Sequence, residues 1–394
     1  MELKTRVNEI CSRERVVAIT REILSEPSPQ TELFEAEPQV LEFIAGTVRP
    51  YLEGLGIQVD LDERGNLTAR LGSPGSRTLM LVGYAMTPQE GAMAEGYLGQ
   101  VVAGEPYGYQ EECLRGRGSC EQKGALGAML VALAAVAEFR DRLGGELVFI
   151  CSTAGETGRH DSLEFIVERQ GLQAGKAILG LGTNNEVCLG NKGRVDVKVT
   201  VNGRACHSSV PQQGINAVTG AAEVIQALNN LKPQVIHPSL GSSTLAPMYI
   251  ESFPRATHTI QDRCIISYDR RLVPGESPDQ ALDEIREVLS GIKGYQIQVE
   301  RGPFMYPSEI ARESIIAQLV AEAVESVCGR AVVYTYFNSA LDAGLLNRQG
   351  IEALMFGPGD VKFAHTAEEV VPVNQVVDAA RIYALTALSY LGIQ

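Results

Sequence analysis

The sequence predicts an α/β protein in which a mostly parallel sheet, flanked by helices, is interrupted by an inserted α+β domain. Apolar runs of strand length alternate with helix-length segments near both ends of the chain. Such alternation is typical of parallel sheets that are covered on both faces. Between these regions the strands change to a two-residue period, which is typical of antiparallel sheets with one solvated face.

The first part of the chain predicts strands and helices that converge on one edge of a sheet. Apolar residues have helical spacing at 14–24 and 37–56, and the alternation around Arg64-Gly65-Asn66 predicts a hairpin. A helix rich in small residues is predicted at 125–139. Buried strands are predicted at 78–84, 146–156 and 176–182. Ligands bind beyond the carboxyl ends of such strands, where Tyr84, Glu156 and Leu181 stand.

The inserted domain has the order β-α-β-β-α-β, which indicates a ferredoxin-like, split-βαβ module. Its segments are RVDVKVTVNG, a helix at 215–231, strands at 245–253 and 262–272, a helix at 277–292 and a strand at 295–301. The remaining segments are a helix at 309–327, strand AVVYTYF, a helix at 340–348, strand ALMFGPG and a helix at 374–391. We therefore expect one domain from 1–191 with 304–394, interrupted by a second at 192–303.

Composition limits the classes of partner. The chain has 394 residues, 34 Lys and Arg against 48 Asp and Glu, and a formal net charge of −14. An acidic surface disfavours nucleic acid and anionic membranes as principal partners. No segment reaches the roughly 18 apolar residues of a membrane helix. Eight cysteines without a CxxC pair favour reduced thiols and a cytoplasmic location.

Five segments, in order, resemble the signature blocks of one family. They are LVGYAMTP, GRGSCEQKGALGAML, STAGETG, GRACHSSVPQQGINAV and FGPGDVKFAHTAEE. The blocks resemble those of the dinuclear zinc amidohydrolases, which include acetylornithine deacetylase, succinyl-diaminopimelate desuccinylase, aminoacylase and carboxypeptidase G. This resemblance implies a zinc-exopeptidase-like catalytic domain and an inserted lid and dimerisation domain. It also implies a homodimer that forms through the lid.

The chain keeps the residues that match the ligands of one of the family's two metals and lacks those of the other. The resemblance implies that one metal takes Glu121, Glu156 and His365, all of which are competent ligands. The family's other metal needs a histidine and a carboxylate, and Tyr84 and Leu181 stand in their places. One histidine and two carboxylates suit a catalytic Zn²⁺ or a similar ion such as Mn²⁺. We therefore expect one divalent metal per subunit; the alternative is that no metal binds and these residues form ordinary polar contacts.

The family's general base is missing as well, because Gly155 occupies its position. The candidates are Tyr84, at the vacated ligand position, and His160 or Asp161, just past the turn at Gly158. A phenol with an ordinary pKa of about 10 suits an oxyanion donor better than a base. His160 and Asp161 can equally be surface residues of the turn. Cys120 and Cys206 are interpreted as packing residues, because neighbours in extended chain point in opposite directions.

The resemblance also implies three substrate contacts in the lid. His207 matches the histidine that reaches a partner subunit's site and polarises the substrate carbonyl, and His258 stands where the family usually has an asparagine. Arg271 matches the arginine that binds the substrate carboxylate, a task that suits its planar fork of donors. The alternatives are a turn hydrogen bond for His207 and an ordinary strand-surface position for Arg271.

These residues support three hypotheses of function. The first is a hydrolase that cleaves an amide-type C–N bond in a small carboxylate substrate, with catalytic roles for His207, His258 and Tyr84 and a metal at the surviving position. The second is a metal-free enzyme on the same scaffold that uses Glu121 and Glu156 as an acid/base pair with separated pKa values, or that performs a lyase, isomerase or acyl-transfer reaction. The third is a non-catalytic relative that binds a ligand or partner.

Overall fold

The computed structural model describes residues 2–75, 77–89, 91, 93–155, 157–172 and 175–393. The helices are α1 (Glu2–Ile10), α2 (Arg13–Ser25), α3 (Pro38–Phe43), α4 (Arg49–Gly54), α5 (Lys123–Ala137), α6 (Asp161–Gln170), α7 (Ala217–Asn229), α8 (Pro278–Leu289), α9 (Ile315–Cys328), α10 (Ala343–Arg348) and α11 (Val373–Leu391). Within the described residues, none of these helices is both long and apolar enough to cross a membrane.

The first half of the chain contributes strands β1 (Gln58–Leu61), β2 (Leu67–Gly72), β3 (Thr78–Tyr84), β4 (Gln100–Val102), β5 (Cys113–Arg115), β6 (Glu146–Ser152), β7 (Gly175–Gly180), β8 (Val187–Asn191) and β9 (Gly193–Asn202). The second half contributes β10 (Ile236–His237), β11 (Gly241–Ser242), β12 (Thr244–Phe253), β13 (Arg263–Leu272), β14 (Gln296–Met305), β15 (Ser308–Glu309), β16 (Tyr334–Phe337), β17 (Ile351–Phe356) and β18 (Val370–Pro372).

The chain divides into two compact units. The first comprises 1–190, 309–335 and 345–394, and the second comprises 191–308 and 336–344. A sheet with the order β1-β2-β6-β3-β7-β17-β8-β15, in which β16 also pairs with β8, is the largest. Its central pairs, β3 with β6, β3 with β7 and β7 with β17, are parallel. The predicted α/β class is therefore confirmed.

The four long strands and two helices of the second unit follow the predicted order β-α-β-β-α-β, in an antiparallel sheet of order β12-β13-β9-β14, and the short pair β10–β11 lies between α7 and β12. Alternate residues of β9 are buried: Val195, Val197, Val199 and Val201. They pack with apolar residues of α7 and α8 in one core. The two-residue period of this strand thus places one of its faces in the core and the other outside it.

Two predicted helices differ from the observed ones. The predicted helix at 309–327 begins only at Ile315, because Ser314 caps it by accepting a hydrogen bond from the Ala317 N–H, while Ser308–Glu309 forms a strand. The predicted helix at 37–56 is interrupted by a π-helical turn at Ile44–Val48. Pro50 follows this turn and has no N–H for the regular helical bond.

A small sheet of order β18-β5-β4 was absent from the sequence-based prediction. Each of its strands has three residues, which is too short for a periodic signal. Val370 pairs with Arg115 in this sheet, and Val371 pairs with Leu114. The pairing joins the chain just after His365 to the chain just before Glu121.

Candidate functional site

The loops that follow the parallel strands meet at the carboxyl edge of the large sheet. The N–H of Thr183, after β7, donates to the carbonyl of Gly357, after β17, at 3.0 Å. Gly182 lies against the Cys120 carbonyl so closely that a Cβ there would be 2.6 Å from that oxygen. This edge is where ligands bind in open α/β sheets.

Glu121 and His365 are brought together at this edge. The Nε2 atom of His365 lies 3.3 Å from Oε2 of Glu121. The glutamate side chain is 18% exposed, whereas the histidine side chain is 58% exposed. His365 has a φ of 59°, a left-handed conformation that costs a non-glycine residue energy. The contact is therefore partly open to solvent, and two segments that are distant in the sequence form it.

The two donor atoms fit a divalent ion. Zn–O and Zn–N bonds of about 2.0–2.1 Å, at a tetrahedral angle, place two ligand atoms roughly 3.3 Å apart. The observed separation of the Glu121 and His365 atoms matches this value. The same distance suits a direct ion pair if the imidazole is protonated. The pair therefore supports either a metal site or a carboxylate–histidine pair.

The third ligand implied by the resemblance, Glu156, lies outside the described residues. Among the residues that are described, no three His, Cys, Asp or Glu side chains form a group able to hold a metal. Because Glu156 lies outside those residues, the three-ligand site stays a prediction. Gly155, its neighbour, is described and half-buried.

Glu369 is a buried residue of this site that the sequence reasoning missed. Its Oε1 accepts hydrogen bonds from the N–H groups of Cys120 and Glu121, both at 3.2 Å, and its Oε2 accepts one from Arg117 at 2.8 Å. Both charged side chains are almost fully buried. Burial raises the pKa of Glu369, against the opposing effect of these hydrogen bonds. A carboxylate at the start of the apolar run EEVVPV was the available signal, since a buried charge needs a partner.

The position of the missing base is occupied by neighbouring chain. A Cβ built on Gly155 would lie 3.0 Å from the Met86 carbonyl oxygen and 3.5 Å from the Cβ of Tyr84. Tyr84 itself ends β3 and is buried, opposite Ser152 of β6. Leu181 is buried too. The segment 84–86, in which tyrosine replaces the family's first histidine, thus fills the space beside Gly155.

The two other base candidates differ in their surroundings. His160 is buried and immediately precedes α6, where its carbonyl accepts the Glu164 N–H. Asp161 is exposed and lines a cavity together with Leu41 and Arg64. His160 therefore lies in a buried turn at the start of α6, whereas Asp161 is open to solvent.

In the second unit, His207 and His258 lie on neighbouring antiparallel segments. The Ser208 N–H donates to the His258 carbonyl at 3.0 Å. Both side chains are exposed. The Ser209 N–H donates to Nδ1 of His207 at 3.1 Å, so Nδ1 acts as the acceptor. In the neutral imidazole the proton then resides on Nε2, which can donate to a carbonyl oxygen.

Arg271 is already partnered within the second unit. Its Nε and one terminal nitrogen donate to the two oxygens of Asp269 at 2.7 and 3.1 Å. Arg194 also contacts Asp269, at 3.3 Å. A guanidinium has five N–H donors, so the pair with Asp269 leaves three for another acceptor. The predicted carboxylate contact therefore remains chemically open to Arg271.

The eight cysteines form no disulfide. Cys120 is completely buried, and burial together with Glu369 raises its pKa well above that of an ordinary thiol. A thiolate nucleophile is disfavoured under these conditions. Cys206 is half-buried, and its thiol donates to the Val210 carbonyl at 3.4 Å. The burial of Cys120 and the hydrogen bond of Cys206 agree with the interpretation of these cysteines as packing residues.

Comparison with known proteins shows that the chain is similar to M20 peptidases. Residues 189–294 match the peptidase dimerisation domain of the M20 peptidases. The Escherichia coli (strain K12) protein YgeY is 26% identical over 368 residues, which cover 88% of this chain and 89% of that protein. Acetylornithine deacetylase of Myxococcus xanthus is 26% identical over 342 residues, which cover 84% of this chain and 85% of the enzyme.

The fold is shared with solved structures as well. An M20 family metallo-carboxypeptidase from Sulfolobus solfataricus, Sso-CP2, superposes with a TM-score of 0.75 at 16% identity. The superposition covers 95% of this chain and 99% of that one. Over most of its length the chain is therefore similar to M20 family proteins, among them an acetylornithine deacetylase and a succinyl-diaminopimelate desuccinylase.

Proposed function

We propose that the chain is a divergent amidohydrolase that cleaves an amide-type C–N bond in a small, carboxylate-bearing substrate, with one divalent metal per subunit. The observation that carries this proposal is the 3.3 Å separation of the His365 and Glu121 donor atoms. Glu156 is proposed as the third ligand. Acetylornithine deacetylase and succinyl-diaminopimelate desuccinylase among the relatives are named for C–N bond cleavage. We propose that the protein acts in the cytoplasm, which the eight free thiols support.

The residues of this chain divide the chemistry among themselves. A Zn²⁺ or Mn²⁺ ion would supply Lewis-acid polarisation of the scissile carbonyl. His207 donates a hydrogen bond from its Nε2–H to the carbonyl oxygen, and Arg271 binds the substrate carboxylate through its remaining N–H groups. His258, next to His207 along the lid, contacts the substrate. Tyr84 is proposed as a hydroxyl donor near the reacting carbonyl.

The missing base distinguishes this proposal from the family mechanism. With glycine at 155, no carboxylate at that position takes a proton from the attacking water. General acid–base catalysis by a positioned group contributes about 10²–10⁴-fold to a rate. We therefore expect turnover of ordinary N-acyl amino acids to be slow relative to a family member with the base.

A second candidate is favoured by the same contact. If Glu121 and His365 form a direct ion pair, they constitute a metal-free acid/base pair on the family scaffold. Purified protein separates the two candidates by metal content and by turnover on a panel of N-acyl amino acids. The first predicts about one metal per subunit and activity that chelation removes. Full activity in protein stripped of metal overturns it and selects the second.

We also propose a homodimer through the second unit, whose dimerisation-domain match supports association. The edge strand β12 exposes three neighbouring apolar side chains, Met248, Tyr249 and Ile250. Exposed apolar clusters of this kind mark protein–protein contacts. Pro247 has no N–H to offer a further strand, so side-chain contact dominates the proposed interface there.

A further inference from the structure

Glu369 joins the two segments that carry the proposed ligands. It lies four residues after His365, and its own carbonyl accepts the Gly116 N–H at 3.3 Å. Beyond it, β18 pairs with β5, the strand that leads into the Glu121 loop. The backbone of Glu369 therefore belongs to the His365 segment, while its side chain reaches into the loop at 117–121.

The carboxylate fixes the peptide groups on the amino side of Glu121. One oxygen accepts the N–H groups of both Cys120 and Glu121, at 3.2 Å each. Hydrogen bonds from backbone N–H groups to a buried carboxylate are charge-assisted and stronger than neutral ones. The other oxygen is bound by the buried guanidinium of Arg117, which lies in the same loop.

The other side of Glu121 is held by α5. The Lys123 N–H donates to the Gly118 carbonyl at 2.7 Å, and the Lys123 side chain is buried, with its ammonium 4.1 Å from the centre of the Phe43 ring. The ammonium also donates to the Glu26 carbonyl. Glu121 therefore leaves the loop from a backbone that is fixed on both sides, and its remaining freedom lies in its side-chain torsions.

We infer that Glu369 is a positioning residue that sets the affinity of the Glu121–His365 site for a divalent ion, an inference that rests on the proposed function. Glutamate has one more rotatable bond than the aspartate of the family block. Its carboxylate consequently needs a fixed Cα direction to meet His365 at 3.3 Å. Residues that orient metal ligands typically change metal affinity by about 10–100-fold when they are altered.

The test is the Zn²⁺ affinity of the full-length Glu369→Gln variant, measured by competition with a chromophoric chelator. The carbonyl oxygen of a glutamine can accept hydrogen bonds either from the two backbone N–H groups or from Arg117. Its NH₂ group then faces the other donor, and two donors cannot form a hydrogen bond with each other. We expect affinity to fall by about 10–100-fold. The double variant Arg117→Met/Glu369→Gln removes the competing donor, and we expect it to recover most of the affinity.

Glu146→Gln is the matched control. Glu146 is a buried carboxylate paired with Arg70 at 2.9 Å, at the amino end of β6, the opposite edge of the sheet. We expect this variant to lose stability while it keeps wild-type Zn²⁺ affinity. Equal affinity losses in Glu369→Gln and Glu146→Gln would show a general stability effect and overturn the inference.

A second measurement separates this inference from the proposed function. Hydrogen exchange of the Cys120 and Glu121 amides in metal-free protein directly reports the hydrogen bonds that these amides donate to Glu369. If wild-type protein binds no Zn²⁺, the proposed function fails, and the metal-affinity role inferred for Glu369 fails with it. If wild-type protein binds Zn²⁺ but Glu369→Gln binds it equally well, the proposed function stands and the positioning role is wrong. Faster amide exchange in Glu369→Gln, with weaker Zn²⁺ binding, supports the inference.

Discussion

The Oε2 atom of Glu121 and the Nε2 atom of His365 are 3.3 Å apart, although the two residues are far apart in the sequence. The first follows the small-sheet strand β5, and the second precedes β18, which pairs with β5. The contact thus depends on a sheet of three-residue strands as much as on the large parallel sheet.

Removal of His365, the proposed histidine ligand, should weaken metal binding strongly. We expect His365→Ala to weaken Zn²⁺ affinity by more than about 100-fold, because loss of a ligand exceeds loss of a residue that only orients one. Isothermal titration of metal-free protein measures this. His258→Ala, which removes an exposed histidine of the second unit, is the control and should bind Zn²⁺ normally. Unchanged affinity in His365→Ala would exclude His365 as a ligand.

Restoring the family's glutamate base at position 155 should destabilise the fold. Gly155→Glu places a Cβ 3.0 Å from the Met86 carbonyl, beside the buried residues Tyr84 and Met86. We expect a loss of about 1–3 kcal/mol in the free energy of unfolding, as for other overpacked sites. Urea denaturation measures the loss. Gly46→Glu is the matched control, since a Cβ at Gly46 meets no atom within 4 Å. A fully stable Gly155→Glu variant would show that the space beside Tyr84 is adaptable.

A methyl group at Gly182 should disturb both the fold and the proposed metal site. Its Cβ would lie 2.6 Å from the Cys120 carbonyl and 3.0 Å from the Gly359 carbonyl. We expect Gly182→Ala to lower the free energy of unfolding by about 1–3 kcal/mol, and to weaken Zn²⁺ binding because Cys120 adjoins Glu121. Gly54→Ala, where the added Cβ meets nothing within 4 Å, should change neither. The idea fails if Gly182→Ala matches this control in both measurements.

The proposed dimer is tested by a charge on the exposed edge strand. The Ile250 side chain is 51% exposed, and we expect Ile250→Asp to shift the protein from dimer to monomer. Burial of an unpaired carboxylate in an apolar interface is costly, which drives the shift. Light scattering after gel filtration gives the mass. Ile315→Asp, at a 57% exposed isoleucine of the first unit, is the control. A dimeric Ile250→Asp protein would place the interface elsewhere.

Strong local patterns predicted most of the architecture. The buried run at β3 and the alternating valines of β9 identify a parallel and an antiparallel sheet without tertiary information. The helix at 309–327 was placed too early, because a serine cap and a two-residue strand leave little periodic signal. The small sheet of β4, β5 and β18 was missed for the same reason.

The sequence by itself determined the fold class and proposed Glu121 and His365 as partners, because family blocks and hydrophobic periodicity are local signals. Only the tertiary structure decided that their donor atoms lie within ligand distance of each other. It also revealed Glu369, whose buried charge is satisfied by Arg117 and by two backbone N–H groups. Such a contact between distant segments depends on how the chain packs, and a buried carboxylate has no sequence pattern that names its partner.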